Sequence, residues 1–362
     1  MISEYFHNGI NIGGWLSQYE FLVEAADNAH FQKHFDTFLT ENDILRIHQW
    51  GLDHVRVPVS GYLLYDDKRK ELNPLAVFYL EKCISWCQKY GVNMILDLHD
   101  LWGNVYGAMD VPMPLLTDKG LQENFYDIWE KLAVHFRNTG DCCCASEDHF
   151  ILMFELLNEV SDASGYLWNQ MYKEAIHKIR TIDSKRPILV GSNCQNSVVY
   201  LNQLDLVEDP LVFYNFHYYD PQVFTHQKAH FSEEMRDFNQ TVTYPGDISG
   251  FVSYLEQHPE YQMKYALVAK ETRNDRALME KLLKNARDFV TYSGKELYCG
   301  EFGVIDSAPD TEAVKWLKDF TGILDECKIG HALWNYKSLD FGLFDLKGNV
   351  VSQILIDFMK KK

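Results

Sequence analysis

The stretch FELLNEV, residues 154 to 160, sets Glu155 and Glu159 in one short apolar run, with Asn158 directly before the second carboxylate. An ionised carboxylate is costly to bury without a partner, so such a segment either neutralises its charges or ends in a working site. A third glutamate, Glu301, stands in a comparable run, YCGEFGV. Two carboxylates at the ends of different strands are the equipment for glycoside cleavage through an oxocarbenium-like transition state, one protonating the departing oxygen while the other stays ionised. In that chemistry Glu159 is the general acid and then the base for water. Glu301 attacks the anomeric carbon, held anionic by Arg56 and by the Tyr219 hydroxyl. Asn158 can bond the sugar 2-hydroxyl, His99 and His217 can orient neighbouring groups, and Trp334 offers a flat apolar face for a pyranose ring. Glu155 is expected as a buried partner of Arg56 or of a neighbouring strand. Strict strand alternation would put it on the same face as Glu159, so a local irregularity is expected near Leu157 and Asn158.

Positioning these residues requires a scaffold, and the pattern of the chain predicts one. Short β-rich runs occur at GINIGG (9 to 14), LDHVRVPV (52 to 59), VNMILDLH (92 to 99), FILMFELLNE (150 to 159), PILVGS (187 to 192), LVFYNFH (211 to 217), ELYCGEF (296 to 302) and IGHALWNY (329 to 336). Between them lie helical patterns, such as Ile44, Ile47 and Trp50, or Phe125, Ile128, Trp129 and Leu132, or Met171, Ala175, Ile176 and Ile179. Eight strands in that alternation predict an α/β protein, a single (β/α)8 TIM barrel covering residues 1 to 362. An open doubly wound sheet would offer a phosphate-binding glycine turn after its first strand, and NIGGW lacks the G-x-G-x-x-G pattern. One connection is long and polar: Pro221 to Arg273 reads as an inserted loop or lid between strands 6 and 7. Its Tyr244, Phe251 and Tyr254 are expected to wall off one end of a cleft.

In such barrels the working face lies at the C-terminal ends of the strands. Arg56, His99, Asn158 with Glu159, His217 with Tyr219, Glu301 and Trp334 fall there on strands 2, 3, 4, 6, 7 and 8, where a barrel built only for stability would carry Val, Ile and Leu. Each has a bland reading as a satisfied core group; together they read as a site. The ordered set RVPV, LDLH, LLNEV, FHYYDP, YCGEFGV and LWNY resembles glycoside hydrolase family 5, and the resemblance spans the chain. It implies a retaining β-glycosidase acting on β-linked glucose units, with Glu159 as acid/base, Glu301 as nucleophile, and no metal or organic cofactor. The start GINIGGWL looks like the exo-acting β-1,3-glucanase branch, and NFHYYDPQVFTHQ like the cellulase branch. Val160 stands where many members have proline, and Leu101 and Trp102 follow LDLHD where many have a small glycine-rich turn.

The expected substrates are short β-linked gluco-oligosaccharides, cut from a chain end. The alternatives are an endo-acting β-1,4-glucanase or β-mannanase on polymer, an inactive carbohydrate-binding barrel, and a metal-dependent hydrolase using His99, Asp97 and Asp100. The formal charge of -18 and pI near 5.2 argue against nucleic acid or an anionic membrane surface as partner. Hydrophobic content of 46% with 24% charged residues fits a large globular core. The N-terminus has no basic segment followed by an apolar run, so a cytoplasmic home is expected, or a secreted one if a signal peptide has been removed. Cys83 and Cys87 are in phase with Leu80 and Ile84 on one helix face, whereas consecutive Cys142, Cys143 and Cys144 suit no zinc spacing.

Overall fold

A computed structural model of the chain describes residues 2–104, 113–140, 150–162 and 164–360. Its centre is a closed barrel of eight parallel strands. They are β1 (Asn8–Asn11), β2 (His54–Ser60), β3 (Asn93–Asp100), β4 (Leu152–Glu155), β5 (Ile188–Gly191), β6 (Val212–Tyr218), β7 (Leu297–Phe302) and β8 (Gly330–Leu333). All eight expected strands are present, and β1 closes the ring by pairing with both β2 and β8. Around it run α1 (Glu41–Gln49), α2 (Pro74–Tyr90), α3 (Lys119–His135), α4 (Tyr166–Ile182), α5 (Lys284–Ser293), α6 (Asp310–Glu326) and α7 (Gln353–Met359). The connection from β5 to β6 carries a 3-10 helix, Val198–Gln203, in place of a full α-helix.

The helices form where the apolar periodicity demands. In α2, Asn73 accepts from the Leu75 amide at 3.0 Å and Pro74 follows as the first helical residue, a start that satisfies one orphan donor and needs no N–H from proline. Gly91 ends the helix in the left-handed conformation, φ 65°, its amide bonded to the Cys87 carbonyl. Cys83 and Cys87 lie fully buried on the inner face as free thiols. The expected Cys142 to Cys144 triplet lies outside the described residues. Two buried indoles tie helices to strand ends: Trp129 Nε1 donates to the Leu156 carbonyl at 3.0 Å and Trp168 Nε1 to the Gly191 carbonyl at 2.9 Å. Each pairs a buried donor with a carbonyl at or just beyond a strand end, which holds the rim in place.

Residues 221 to 273 are folded. Short helices at Gln222–Thr225, Glu233–Phe238 and Ser249–Gln257 are closed off by an antiparallel pairing of Gly246–Asp247 with Arg273–Asn274. Tyr244 and Phe251 are fully buried. The Tyr244 hydroxyl donates to Asp319 on α6 at 2.8 Å, and Phe251 sits among Phe238, Tyr254 and Tyr265. Tyr244 and Phe251 belong to one apolar cluster with the barrel core, which differs from the expectation that they face the cleft: a segment this long must bury apolar surface to stay ordered. The insertion meets the barrel rim elsewhere. Ile305 donates to the Thr225 carbonyl at 2.9 Å, and His230 Nε2 lies 2.9 Å from Asp340 Oδ2. Among the described residues no helix is long and apolar enough to cross a membrane.

Candidate active site

At the C-terminal end of the barrel the inward side chains become polar, and one guanidinium organises them. Arg56, on β2, is fully buried. Its Nε and Nη2 donate to the two oxygens of Glu155 at 2.6 and 3.0 Å. Nη1 donates to Glu301 Oε1 at 2.7 Å and Asn11 Oδ1 at 3.0 Å. Nη2 also reaches Asn158 Oδ1 at 2.9 Å and Asp97 Oδ2 at 3.0 Å. Only a planar fork with five fixed donors can hold so many acceptors at once. Glu155 is thus the expected partner of Arg56, and Asn215 Nδ2 completes its shell at 2.8 Å. Burial first, and the neighbouring Asp97 next, push the Glu155 carboxyl above the ordinary carboxylate range against the pull of Arg56.

Glu301 is treated oppositely. Burial alone would raise its pKa, but His217, Arg56 and His99 outweigh that and hold it below the ordinary range. Its second oxygen accepts from the Tyr219 hydroxyl at 3.0 Å. Burial, then the Glu301 and Glu159 carboxylates, push the Tyr219 phenol far up, so it remains a donor. The strand itself aims Glu301. Between Cys299 and Glu301 the pairing of β7 with β6 shifts register, a bulge that re-aims the following side chain. Gly300 sits in it because no β-carbon fits: one would lie 2.6 Å from Asn215 Nδ2 and 3.0 Å from His217 Nε2.

Glu159 lies beyond the end of β4, which stops at Glu155. The irregularity expected near Leu157 and Asn158 falls on Glu159 itself, whose φ of 49° is in the left-handed region, a costly conformation for a residue with a β-carbon. This turn brings the carboxylate to the rim, where Oε1 meets His217 Nδ1 at 3.0 Å. On the other side of the ring, Asn196 Nδ2 faces His217 Nε2 at 3.1 Å. The His217 ring thus bridges the Asn196 amide and the Glu159 carboxylate, which fixes the orientation of both side chains. A carboxylate oxygen of Glu159, one of Glu301 and a His217 ring nitrogen all lie within 4.8 Å of one another. That donor set could chelate a cation, yet both Glu301 oxygens already accept from Arg56 and Tyr219.

His99 closes the near side. Its Nδ1 pairs with Asp97 Oδ2 at 2.8 Å, and its ring lies parallel to the Trp334 indole, centroids 5.8 Å apart and planes 6° apart. Gly13 supports that indole from below, where a β-carbon would stand 2.5 Å from the ring. All eight residues singled out from the sequence (Arg56, His99, Asn158, Glu159, His217, Tyr219, Glu301 and Trp334) border this one face. Asp97 binds Arg56 and His99, and Asp100 accepts from Ser60 Oγ at 2.6 Å, so neither is arranged as a metal ligand beside His99. The reading of the sequence passed over Asn11, Asn196 and Asn215. For Asn215 a signal existed: it precedes His217 by two residues and so shares its face, as Asp97 does with His99.

The sequence pattern of the cellulase family, glycosyl hydrolase family 5, matches residues 17–340. Endoglucanase C of Acetivibrio thermocellus is 37% identical over 359 residues, covering 99% of this chain and 98% of that protein. Cellodextrinase A of Ruminococcus flavefaciens is 31% identical over 328 residues, covering 89% and 84%. In fold, the chain is similar to Cel5A of Thermotoga maritima, solved in complex with cellobiose, with a TM-score of 0.71 at 19% identity over 99% of this chain and 98% of that one. The chain belongs to the cellulase family, glycosyl hydrolase family 5, and is a glycoside hydrolase of the retaining type.

Proposed function

We propose that this enzyme hydrolyses β-1,4 bonds of gluco-oligosaccharides by double displacement, with Glu301 as nucleophile and Glu159 as acid/base. The observation that carries the assignment is the contrast between the two carboxylates. Glu301 is buried, doubly hydrogen-bonded and held ionised, as a nucleophile must be. Glu159 is at the rim, its side chain 23% exposed beside His217, where a departing oxygen and then a water can reach it. One oxygen of each lies within 4.8 Å of the other, a close approach that favours attack by the carboxylate itself and so a covalent glycosyl-enzyme. Asn158, fixed through its Oδ1 by Arg56, would present its amide to the sugar 2-hydroxyl. Trp334 and His99 would carry the ring of the attacked sugar, and His217 would steer the acid/base proton.

The relatives named endoglucanase and cellodextrinase, and the fold relative solved with cellobiose, support a glucan chain as the substrate. We read residues 1–362 as one catalytic domain, with the 221–273 insertion bordering the cleft through Thr225, His226 and His230. Cys83, Cys87, Cys194, Cys299 and Cys327 are free thiols, in keeping with a reducing, cytoplasmic setting. Endo action on polymer is a second reading. It is favoured by the burial of Tyr244 and Phe251, which removes the aromatic wall that would have closed one end. Proton spectra of a cellotetraose digest should show the β-anomer formed first, and an α-anomer first would refute double displacement. Viscosity of carboxymethylcellulose followed against reducing ends separates the readings: an early fall at low product yield means endo action, its absence means cleavage at chain ends.

A further inference from the structure

We propose that Tyr62 and Trp102 form a distal sugar-binding subsite at the rim above β2 and β3, which holds a glucosyl unit of the chain remote from the scissile bond. The proposal rests on the β-1,4-glucan reading above and names where a longer chain is gripped. Directly after β2, Gly61 approaches the end of β3 so closely that a β-carbon would lie 2.6 Å from the Asp100 carbonyl oxygen. This contact sets Tyr62 beside Trp102, their ring centroids 4.8 Å apart and planes inclined at 59°. Tyr62 is 54% exposed. Its neighbour Tyr65 is buried and donates to Asp127, so the structural tasks of this turn are met by Tyr65 and Tyr62 is left to face outward.

The two rings open onto a cavity of about 490 Å³ that is also lined by Asp67, Lys68 and Arg69. That is within the range of about 300–1,000 Å³ typical of small-ligand sites. The Asp67 and Lys68 side chains make no hydrogen bond to another described residue. Aromatic faces for the C–H face of a pyranose, edged by a carboxylate and cationic groups for its hydroxyls, are what a neutral sugar needs. An apolar peptide would leave those charges unpaired.

The subsite is tied to the catalytic centre through β3. His99 stacks on Trp334, and Trp102 follows three residues later in the chain, so at most about 10–11 Å of backbone separates them. That is the reach of an oligosaccharide. Glu159 is turned toward His217 on β6, which places the departing part of the substrate on the β5–β6 side and leaves the β2–β3 rim to the retained sugars.

The test is a series of aryl β-glycosides of cellobiose, cellotriose and cellotetraose, assayed with the full-length wild type, Tyr62→Ala, Trp102→Ala and Tyr62→Phe. The ratio of kcat/KM on the tetraoside to that on the bioside should fall about three- to tenfold in each alanine variant, the size of one lost stacking contact. It should stay at the wild-type value in Tyr62→Phe, which keeps the ring. An unchanged ratio in both alanine variants would overturn the subsite, and so would equal losses on every substrate, the mark of a merely structural role. A wild type that cleaves none of the series would overturn the proposed substrate and the subsite together.

Discussion

Gly300→Ala tests the account of how the site is built. An added β-carbon would lie 2.6 and 2.9 Å from the Asn215 amide atoms and 3.0 Å from His217 Nε2, distances at which the neighbours must move. Asn215 is held by donating to Glu155 Oε1 at 2.8 Å and accepting from the Gly300 amide at 2.7 Å. A hydrogen bond to a charged group is worth about 1.5–3 kcal/mol and a neutral one about 0.5–1.5 kcal/mol, so losing both costs about 2–4.5 kcal/mol. For 362 residues the unfolding entropy is about 0.76 kcal/mol/K, so the melting temperature should fall by about 3–6 °C. Activity should fall further, because Glu301 follows the altered residue and His217 carries Glu159. A misplacement of about 1 Å costs roughly 10²-fold in rate. Calorimetry and kcat/KM on an aryl cellobioside measure the two effects. A variant melting within about 1 °C of wild type, with kcat/KM within about twofold, would refute the claim that the bulge aims Glu301.

Two further outcomes follow from the roles assigned. Glu159→Ala and Glu301→Ala should each lose roughly 10²–10⁴-fold or more on an unactivated leaving group; added azide should yield a β-glycosyl azide with the first and an α-glycosyl azide with the second, and swapped products would reverse the roles. In the insertion, burial works against Glu234, but hydrogen bonds from Lys264 and Tyr265 bring its pKa down to about 2. A depressed carboxylate contributes stability that is present above the ordinary carboxylate range and is lost as the pH falls through the folded value. The gap in urea midpoint between wild type and Glu234→Gln should therefore be widest at neutral pH and close as the pH approaches 2. A gap that does not change with pH would refute the pairing.

Much of this was legible in the sequence because it depends on local patterning. Apolar runs and three- to four-residue periodicities locate all eight strands and the main helices, since burial of one face is what makes either element stable. The pairing of Arg56 with Glu155 was legible too, because a buried charge must find its opposite. Tertiary structure alone decided the rest. Closure of the barrel brings Arg56 against Asn11, Glu155 and Glu301, which are 45, 99 and 245 positions away, and no periodicity encodes such a meeting. The insertion's aromatics read as a cleft wall, with a folded excrescence on the barrel's outside as the alternative, because composition does not say which surface buries them. The left-handed turn at Glu159 and the bulge at Gly300 are set by the register of whole strands and by the space their neighbours leave. A one-residue shift in either would send the Glu159 or Glu301 carboxylate to the other face.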